Sequence, residues 1–135
     1  MNFDAVVFDS YDKNGNLIYH TNVMMEVGTQ VAVVCLESIK DEKEREKVAS
    51  RLTATGKIIV DISLDQVNHF AGNMLELKSR NGKPLMIMSA AARDSLTPHQ
   101  ETIISTYNKI LSPELNIIET NGGGSARCMI AEIFY

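Results

Sequence analysis

The sequence predicts an α/β (α+β) domain in which a strand–strand–helix–strand unit occurs twice. Apolar, β-branched runs at 30–37 and 57–62 flank a stretch at 41–55 whose apolar residues have helical spacing. The same order of elements returns about 50 residues later, with Asn22 aligned to Asn73 and Val33 to Ile87. A unit that recurs at this period indicates stacked or radially arranged ββαβ modules.

The first predicted unit is recognised by its turn residues as well as by its apolar runs. Residues 12–15, Asp-Lys-Asn-Gly, are typical of a hairpin-like turn between two strands. Glutamates in the first half of 41–55 suit the positive end of a helix dipole, and Gly56 is a natural stop after it. The predicted elements are strands at 5–9, 16–21, 30–37 and 57–62 and a helix at 41–55.

The second predicted unit has equally local signals. Asn81-Gly82 favours a tight hairpin. Thr97 is a candidate N-cap, with Pro98 at the first helical position and Glu101 completing a start that resembles a capping box. The predicted elements are helices at 63–70 and 97–111 and strands at 73–78, 84–89, 115–119 and 128–135.

Composition excludes several classes of protein. The chain has 135 residues, 44% apolar and 22% charged, which suits one globular domain. Its net charge of −4 provides no electrostatic footprint for nucleic acid. The longest apolar run, 31–36, is far shorter than the roughly 20 residues of a membrane-spanning helix. With two cysteines and no apolar core of a secretory signal in residues 1–20, we expect reduced thiols and a cytoplasmic location.

Cys128 is the most informative single residue. It follows the glycine run Gly122–Gly124, whose conformational cost is easiest to explain if the backbone turns sharply or passes close to a ligand. Arg127 beside it favours the thiolate form. The local pattern therefore indicates either a nucleophilic thiol or, alternatively, a small buried residue beside an ordinary loop. Cys35, inside an apolar run without neighbouring charge, is predicted to be a core residue.

His20 lies at the end of a predicted strand, where an imidazole can supply general acid–base chemistry, and Asn22 could orient the ring or a substrate. A structural role for His20 stays open at this point. His69 and His99, among polar neighbours, are predicted to lie at the surface. No histidine or cysteine pair has metal-ligand spacing, so no metal site is predicted. The glycine run does not match a phosphate loop, because no Lys-Ser/Thr follows it.

Three blocks of sequence carry a resemblance to a known family. They are Gly-Gly-Gly-Ser-Ala-Arg-Cys-Met-Ile-Ala-Glu-Ile-Phe at 122–134, Tyr-His-Thr-Asn-Val-Met-Met at 19–25 and Phe-Ala-Gly-Asn-Met-Leu-Glu-Leu at 70–77. In this order they resemble the pentein (amidinotransferase and arginine-deiminase) superfamily, and most closely its bacterial citrulline-utilisation hydrolase branch. The resemblance covers essentially the whole chain.

The resemblance implies a five-bladed αβ-propeller of ββαβ modules and thiol chemistry on a guanidino or ureido carbon, without a cofactor. It implies that Cys128 is the nucleophile and His20 the general acid/base. Many relatives have His-x-Asp where this chain has His20-Thr21-Asn22. The candidate substrate-binding residues are Asn22, Asn73, Gly123, Gly124 and Arg127.

The resemblance extends only to the C-terminal half of such enzymes. We therefore expect residues 1–135 to be a C-terminal portion of a pentein catalytic domain, with about two modules and flanking strands. Self-association or a missing N-terminal half would then supply the remaining surface, including acidic groups for the substrate. The main alternative is a non-catalytic ligand-binding or interaction module with the same fold. Whether the acceptor is water or an amine stays open.

Overall fold

Both predicted units form ββαβ modules in the computed structural model, which describes residues 4–133. In the first module, β2 is the middle strand: it pairs antiparallel with β1 and parallel with β3, with Met25 opposite Val34 and Val34 opposite Asp61. A short helix precedes β1, and a 3₁₀ turn follows β2. The elements are α1 (Thr21–Met24), β1 (Met25–Val27), β2 (Val31–Val34), α2 (Glu42–Ala54) and β3 (Ile58–Asp61).

The sequence explains why these elements form. All four residues of β2 are buried, as expected for an apolar strand that is covered on both faces. Asp41 caps α2 by accepting a hydrogen bond from the Glu44 N–H. The helix buries Val48 and Leu52, which lie one turn apart on the same face.

The second module repeats this topology. Here β5 pairs antiparallel with β4 and parallel with β6. Thr97 caps α5 as predicted, with Pro98 in the first turn, but Gln100 rather than Glu101 completes the capping box because it occupies the third helical position. The elements are α3 (Leu64–Asn68), β4 (Leu75–Lys78), β5 (Pro84–Ile87), α4 (Ala90–Ser95), α5 (Pro98–Tyr107) and β6 (Lys109–Leu111).

The predicted repeat is confirmed, with a correction of one residue in its register. The equivalent strand pairs are Met25 with Val34 and Leu75 with Ile87. Val34, not Val33, is therefore the counterpart of Ile87. All four residues of β2 and all four of β5 are apolar, so hydrophobicity alone does not distinguish one register from the next.

The terminal segments differ most from the prediction. Instead of strands at 5–9 and 16–21 there is one isolated bridge between Tyr11 and Leu17. Val6, Phe8 and Ile18 pack against the core while Val7 and Leu17 are largely exposed, but two short segments alone gain too few backbone hydrogen bonds to form a stable sheet. The predicted helix 97–111 ends at Tyr107, because the following residues pair with β5 as β6.

Near the C-terminus, neither of the two predicted strands is found in the part of the chain that the structure describes. The segment predicted as a strand at 115–119 belongs to α6 (Asn116–Gly122), and Cys128 lies in the single-turn helix α7 (Ala126–Met129). Residues 130–133 have no regular structure, and the last two residues of the predicted strand lie outside the described residues. These apolar runs are short, and periodicity over so few residues does not separate a strand from a helix.

The two modules meet along β1 and β4, where a Glu26 carboxylate oxygen accepts a hydrogen bond of 2.7 Å from the Glu76 N–H. A single hydrophobic core extends through both modules. The observed fold is thus α/β with two small mixed sheets, as predicted. None of the helices within residues 4–133 is both long and apolar enough to cross a membrane.

Candidate active site

A cavity of about 560 Å³ lies where α1, α3 and the C-terminal loop converge. Its lining brings together residues from four separate parts of the chain, including Cys128 and His20. The lining residues are Asp12, Ile18, Tyr19, His20, Asn22, Val23, Val67, Asn68, Phe70, Asn73, Gly123, Gly124 and Cys128.

The glycine run places the Cys128 thiol at this cavity. Gly123 ends α6 in the left-handed conformation at φ +66°, which glycine adopts without steric cost. A Cβ on Gly124 would lie 3.0 Å from Cys128 Cβ and 3.2 Å from its Sγ, so a side chain there would crowd the thiol. Cys128 itself is exposed. The loop therefore presents the sulfur to the cavity, so of the two alternatives that the sequence left open, the small buried residue is wrong.

A buried hydrogen bond holds the base of this loop. The Ser125 hydroxyl donates to a Glu119 carboxylate oxygen of α6 at 2.6 Å, and both side chains are buried. The Ser125 carbonyl in turn accepts a hydrogen bond from the Cys128 N–H at 3.0 Å. Because the same residue is bonded to α6 and to α7, it links the position of the thiol to the preceding helix.

His20 enters the cavity from the start of α1. It occupies the N-cap position in extended conformation, and its carbonyl accepts the Val23 N–H. Its ring is exposed and packs edge-to-face against Tyr19, with ring centroids 5.3 Å apart. The ring is therefore held by an aromatic contact but stays open to solvent and to a ligand.

The Asn73 amide connects the His20 segment to the thiol. Asn73 Nδ2 donates to the Asn22 carbonyl oxygen at 2.9 Å and to Cys128 Sγ at 3.2 Å. Asn73 is only 4% exposed, whereas Asn22 is half-buried at the cavity wall.

Six of the seven residues predicted for the site line the cavity, and Arg127 does not. The Arg127 N–H approaches the Asn73 carbonyl oxygen at 3.4 Å. Burial raises the pKa of Glu26, and the positive charge of Arg127 partly offsets this effect. Arg127 therefore acts electrostatically on the junction between the modules rather than lining the cavity.

Cys35 has the opposite environment to Cys128. It follows β2, is completely buried, and donates its N–H to the Met24 carbonyl oxygen. Burial is the main cause that raises the pKa of its thiol to about 11. The prediction that Cys35 is a core residue is confirmed, and His69 and His99 are exposed as predicted.

Asp12 and Phe70 are among the seven lining residues that the sequence did not assign to the site. The Asp12 carboxylate accepts hydrogen bonds from Asn14 and Asn16, and the Asn16 side chain is the main cause that lowers its pKa. Its turn was visible in the sequence, but its place at the cavity depends on packing. Phe70 has a positive φ of 63°, unusual for a bulky residue, and no sequence signal predicts it.

Within the part of the chain that the structure describes, no three His, Cys, Asp or Glu side chains are grouped closely enough to hold a metal ion. The arrangement at the cavity is instead a thiol, an imidazole, a carboxylate and two amides. Such a set can perform nucleophilic and acid–base chemistry.

Comparison with known proteins gives the family and the fold of the chain. The family model for "N,N dimethylarginine dimethylhydrolase, eukaryotic" matches residues 1–135. The chain belongs to the dimethylarginine dimethylhydrolase family, which lies within the pentein superfamily that the sequence resembles. No curated protein sequence matches it significantly.

A solved structure shows the same fold. The chain is similar to the apo crystal structure of ArgZ, an arginine dihydrolase of the ornithine–ammonia cycle in cyanobacteria, with a TM-score of 0.60 and 16% sequence identity. The similarity covers 88% of this chain and 17% of ArgZ, so the chain spans a small part of that enzyme. The predicted pentein-type ββαβ architecture is confirmed.

Proposed function

We propose that the chain carries the thiol-containing part of a cysteine-dependent hydrolase that acts on the guanidino or ureido carbon of arginine- or citrulline-like substrates. The observation that carries the proposal is the convergence of Cys128 and His20 on one cavity, from segments at opposite ends of the chain. Membership of a family named for dimethylarginine hydrolysis supports the substrate class. We expect a reacting carbon to fit between sulfur and imidazole at a separation of roughly 3–8 Å.

In the proposed mechanism, the Cys128 thiolate attacks the trigonal carbon and forms an S–C bond. The tetrahedral intermediate collapses as the C–N bond to the leaving amine breaks, and His20 donates a proton to the departing nitrogen. The product of this half-reaction is a covalent S-linked enzyme intermediate and a free amine.

Water completes the cycle. Neutral His20 takes a proton from a water molecule, whose oxygen attacks the S-linked carbon. The S–C bond then breaks, Cys128 leaves as a thiolate, and His20 is protonated for the next turnover. An acceptor amine in place of water would give the amidinotransferase reaction.

The Asp12 carboxylate is suited to attract a cationic substrate. It lines the same cavity, and hydrogen bonds from the turn favour its ionised form. A guanidinium or amidinium group has the planar N–H donors that a carboxylate accepts. Asn22 and the Gly123 and Gly124 backbone groups complete the candidate substrate-binding set at the cavity wall.

We further propose that turnover needs additional protein surface, with residues 1–135 as a C-terminal portion of a pentein catalytic domain. Large exposed apolar side chains support such a contact, including Val7 at 76%, Ile117 at 77% and Ile133 at 75% exposure. Sedimentation velocity should show self-association or binding to a separate chain. A monodisperse monomer with robust turnover of arginine or citrulline derivatives would contradict this part of the proposal.

A pair of alkylating reagents tests the site without requiring turnover. Chloroacetamidine carries an amidinium and chloroacetamide is its neutral isostere; each forms an S–C bond as chloride leaves. The quantity compared is the labelling rate of Cys128 with chloroacetamidine divided by its rate with chloroacetamide. We expect this ratio to be on the order of five times larger in the native chain than in the denatured chain, because one nearby carboxylate contributes about 1 kcal/mol in water. Peptide mass spectrometry identifies the labelled cysteine.

Asp12→Asn is the matched variant, because it retains an oxygen acceptor for the turn and removes the charge. We expect it to reduce the preference to that of the denatured chain, while Cys128→Ser eliminates labelling at the cavity. If native Cys128 shows no more preference than the denatured chain, the catalytic proposal fails and a non-catalytic module becomes the better interpretation.

A further inference from the structure

The Asn73 amide joins the two segments that bear the proposed catalytic groups. One of its N–H groups bonds to the Asn22 carbonyl oxygen, two residues after His20, and the other bonds to Cys128 Sγ. A carboxamide has only two N–H donors, so both are committed to these contacts. Within residues 4–133, no other side chain or backbone group donates a hydrogen bond to this sulfur.

The orientation of the amide follows from its partners. Rotating the amide by half a turn would place Asn73 Oδ1 against the Asn22 carbonyl oxygen, and two acceptors cannot form a hydrogen bond. In the observed orientation Asn73 Oδ1 is buried without a hydrogen-bond partner. A buried unpaired acceptor is unfavourable for folding, so the gain from this side chain lies in its two N–H contacts.

The backbone around Asn73 is built to bring the amide close to α1. The Asn73 N–H closes a turn onto the Phe70 carbonyl oxygen at 2.9 Å, and Phe70, left-handed at φ 63°, ends α3 by donating its N–H to the Val67 carbonyl oxygen. A Cβ on Gly72 would lie 2.8 Å from Met24 Cα and closer still to the Val23 carbonyl oxygen. Only glycine allows this approach, because any side chain would collide with the backbone of α1.

We propose that Asn73 is a positioning residue that holds the Cys128 sulfur beside the His20 segment and stabilises its thiolate by N–H donation. A hydrogen bond to the charged form of an acid favours that form. No proton is transferred by Asn73: the S–H proton leaves to solvent or to His20, and the N–H remains on nitrogen. This inference rests on the proposed function, which makes Cys128 the nucleophile.

Asn108 provides a matched control elsewhere in the fold. It is also buried, at 3% exposure, its Oδ1 also has no partner, and its Nδ2 donates to a Glu76 carboxylate oxygen at 2.8 Å. Removal of its amide therefore perturbs a similar buried polar group without a hydrogen bond to Cys128. A merely structural role for Asn73 predicts similar behaviour of both variants.

The test is the pH profile of Cys128 alkylation by iodoacetamide, read by peptide mass spectrometry on the full chain. We expect Asn73→Ala to move the midpoint of the profile upward by about one to two pH units, the range for loss of a hydrogen bond to a charged group. Asn73→Asp should move it further, because a carboxylate repels the thiolate. Asn108→Ala should leave the midpoint unchanged.

Protection of Cys35 from the reagent reports on the fold in each variant. If Cys35 becomes reactive in Asn73→Ala, that variant has lost its fold, and the midpoint of the nearly isosteric Asn73→Asp is used for the test instead. The proposal is overturned if the Asn73 variants retain the wild-type midpoint, or if Asn108→Ala shifts it equally. The proposed function fails separately, if wild-type Cys128 shows no preference for the amidinium reagent, whatever happens to these midpoints.

Discussion

Replacement of Gly72 by alanine should destabilise the fold and disturb the site together. The added Cβ would lie 2.8 Å from both Met24 Cα and Met24 C, and these are backbone atoms that cannot rotate away. Since real Cβ contacts are essentially never shorter than 3.0 Å, α1 and the segment before β4 must move apart by at least a few tenths of an ångström. Overpacking of this kind costs about 1–3 kcal/mol.

Thermal and guanidinium unfolding measure this cost. For a domain of this size, 1 kcal/mol corresponds to a decrease in Tm of roughly 3–5 °C, so we expect a decrease of roughly 3–15 °C. Cys128 alkylation should change as well, because Gly72 precedes the residue that contacts the sulfur.

Gly122→Ala is the matched control. Its nearest neighbour would be Ile118 Cγ2 at 3.8 Å, an ordinary contact, and it lies at the end of helix α6. The same chemical change should there be neutral or stabilise by up to about 1 kcal/mol. Equal stability of Gly72→Ala and the wild type would refute the reasoning, since it would mean that the backbone approach relaxes at no cost.

Three further predictions concern buried groups. Because burial raises the pKa of the Cys35 thiol to about 11, only about 1 thiol in 1,000 is ionised at pH 8. Alkylation of Cys35 should therefore be at least about 100-fold slower in the native chain than in urea, and similar rates would contradict this. The pKa of Glu26 is raised above its ordinary 4.5 mainly by burial, so the carboxyl binds its proton more tightly in the folded chain, and stability should fall as pH rises from 4.5 through the raised value. Glu26→Gln keeps the oxygen that the Glu76 N–H contacts, so the urea midpoint of this variant should fall less over the same pH range. Parallel curves for the variant and the wild type would refute this. Ser125→Ala leaves the buried Glu119 oxygen without its donor and should cost about 1–3 kcal/mol in chemical unfolding, with a change under about 0.5 kcal/mol as the contrary result.

Much of the fold was predictable because its signals are local. The apolar run that became β2, the cap at Thr97 and the helical spacing of Val48 and Leu52 each depend on neighbouring residues only. The repeat followed from the order of these elements. Its register was one residue wrong, because hydrogen bonding between strands, not composition, sets which apolar residue faces which.

The terminal segments could not be predicted in this way. The residues at 115–119 are apolar enough for a strand, yet 116–119 form part of α6, and no strand within residues 4–133 pairs with them. Tyr11 and Leu17 form one antiparallel bridge across the predicted turn, but the two predicted strands on either side of it do not form. Short apolar runs adopt whichever structure their surroundings satisfy.

For the candidate site, the sequence by itself determined which residues have suitable chemistry: a thiol after a glycine run, a histidine, and amides at 22 and 73. Only the tertiary structure decided how they meet. It turned the Asn73 amide onto the sulfur, added Asp12 to the cavity and left Arg127 outside its lining. The physical reason is that caps, turns and periodicity act over a few residues, whereas convergence of side chains from distant segments depends on how the two modules pack.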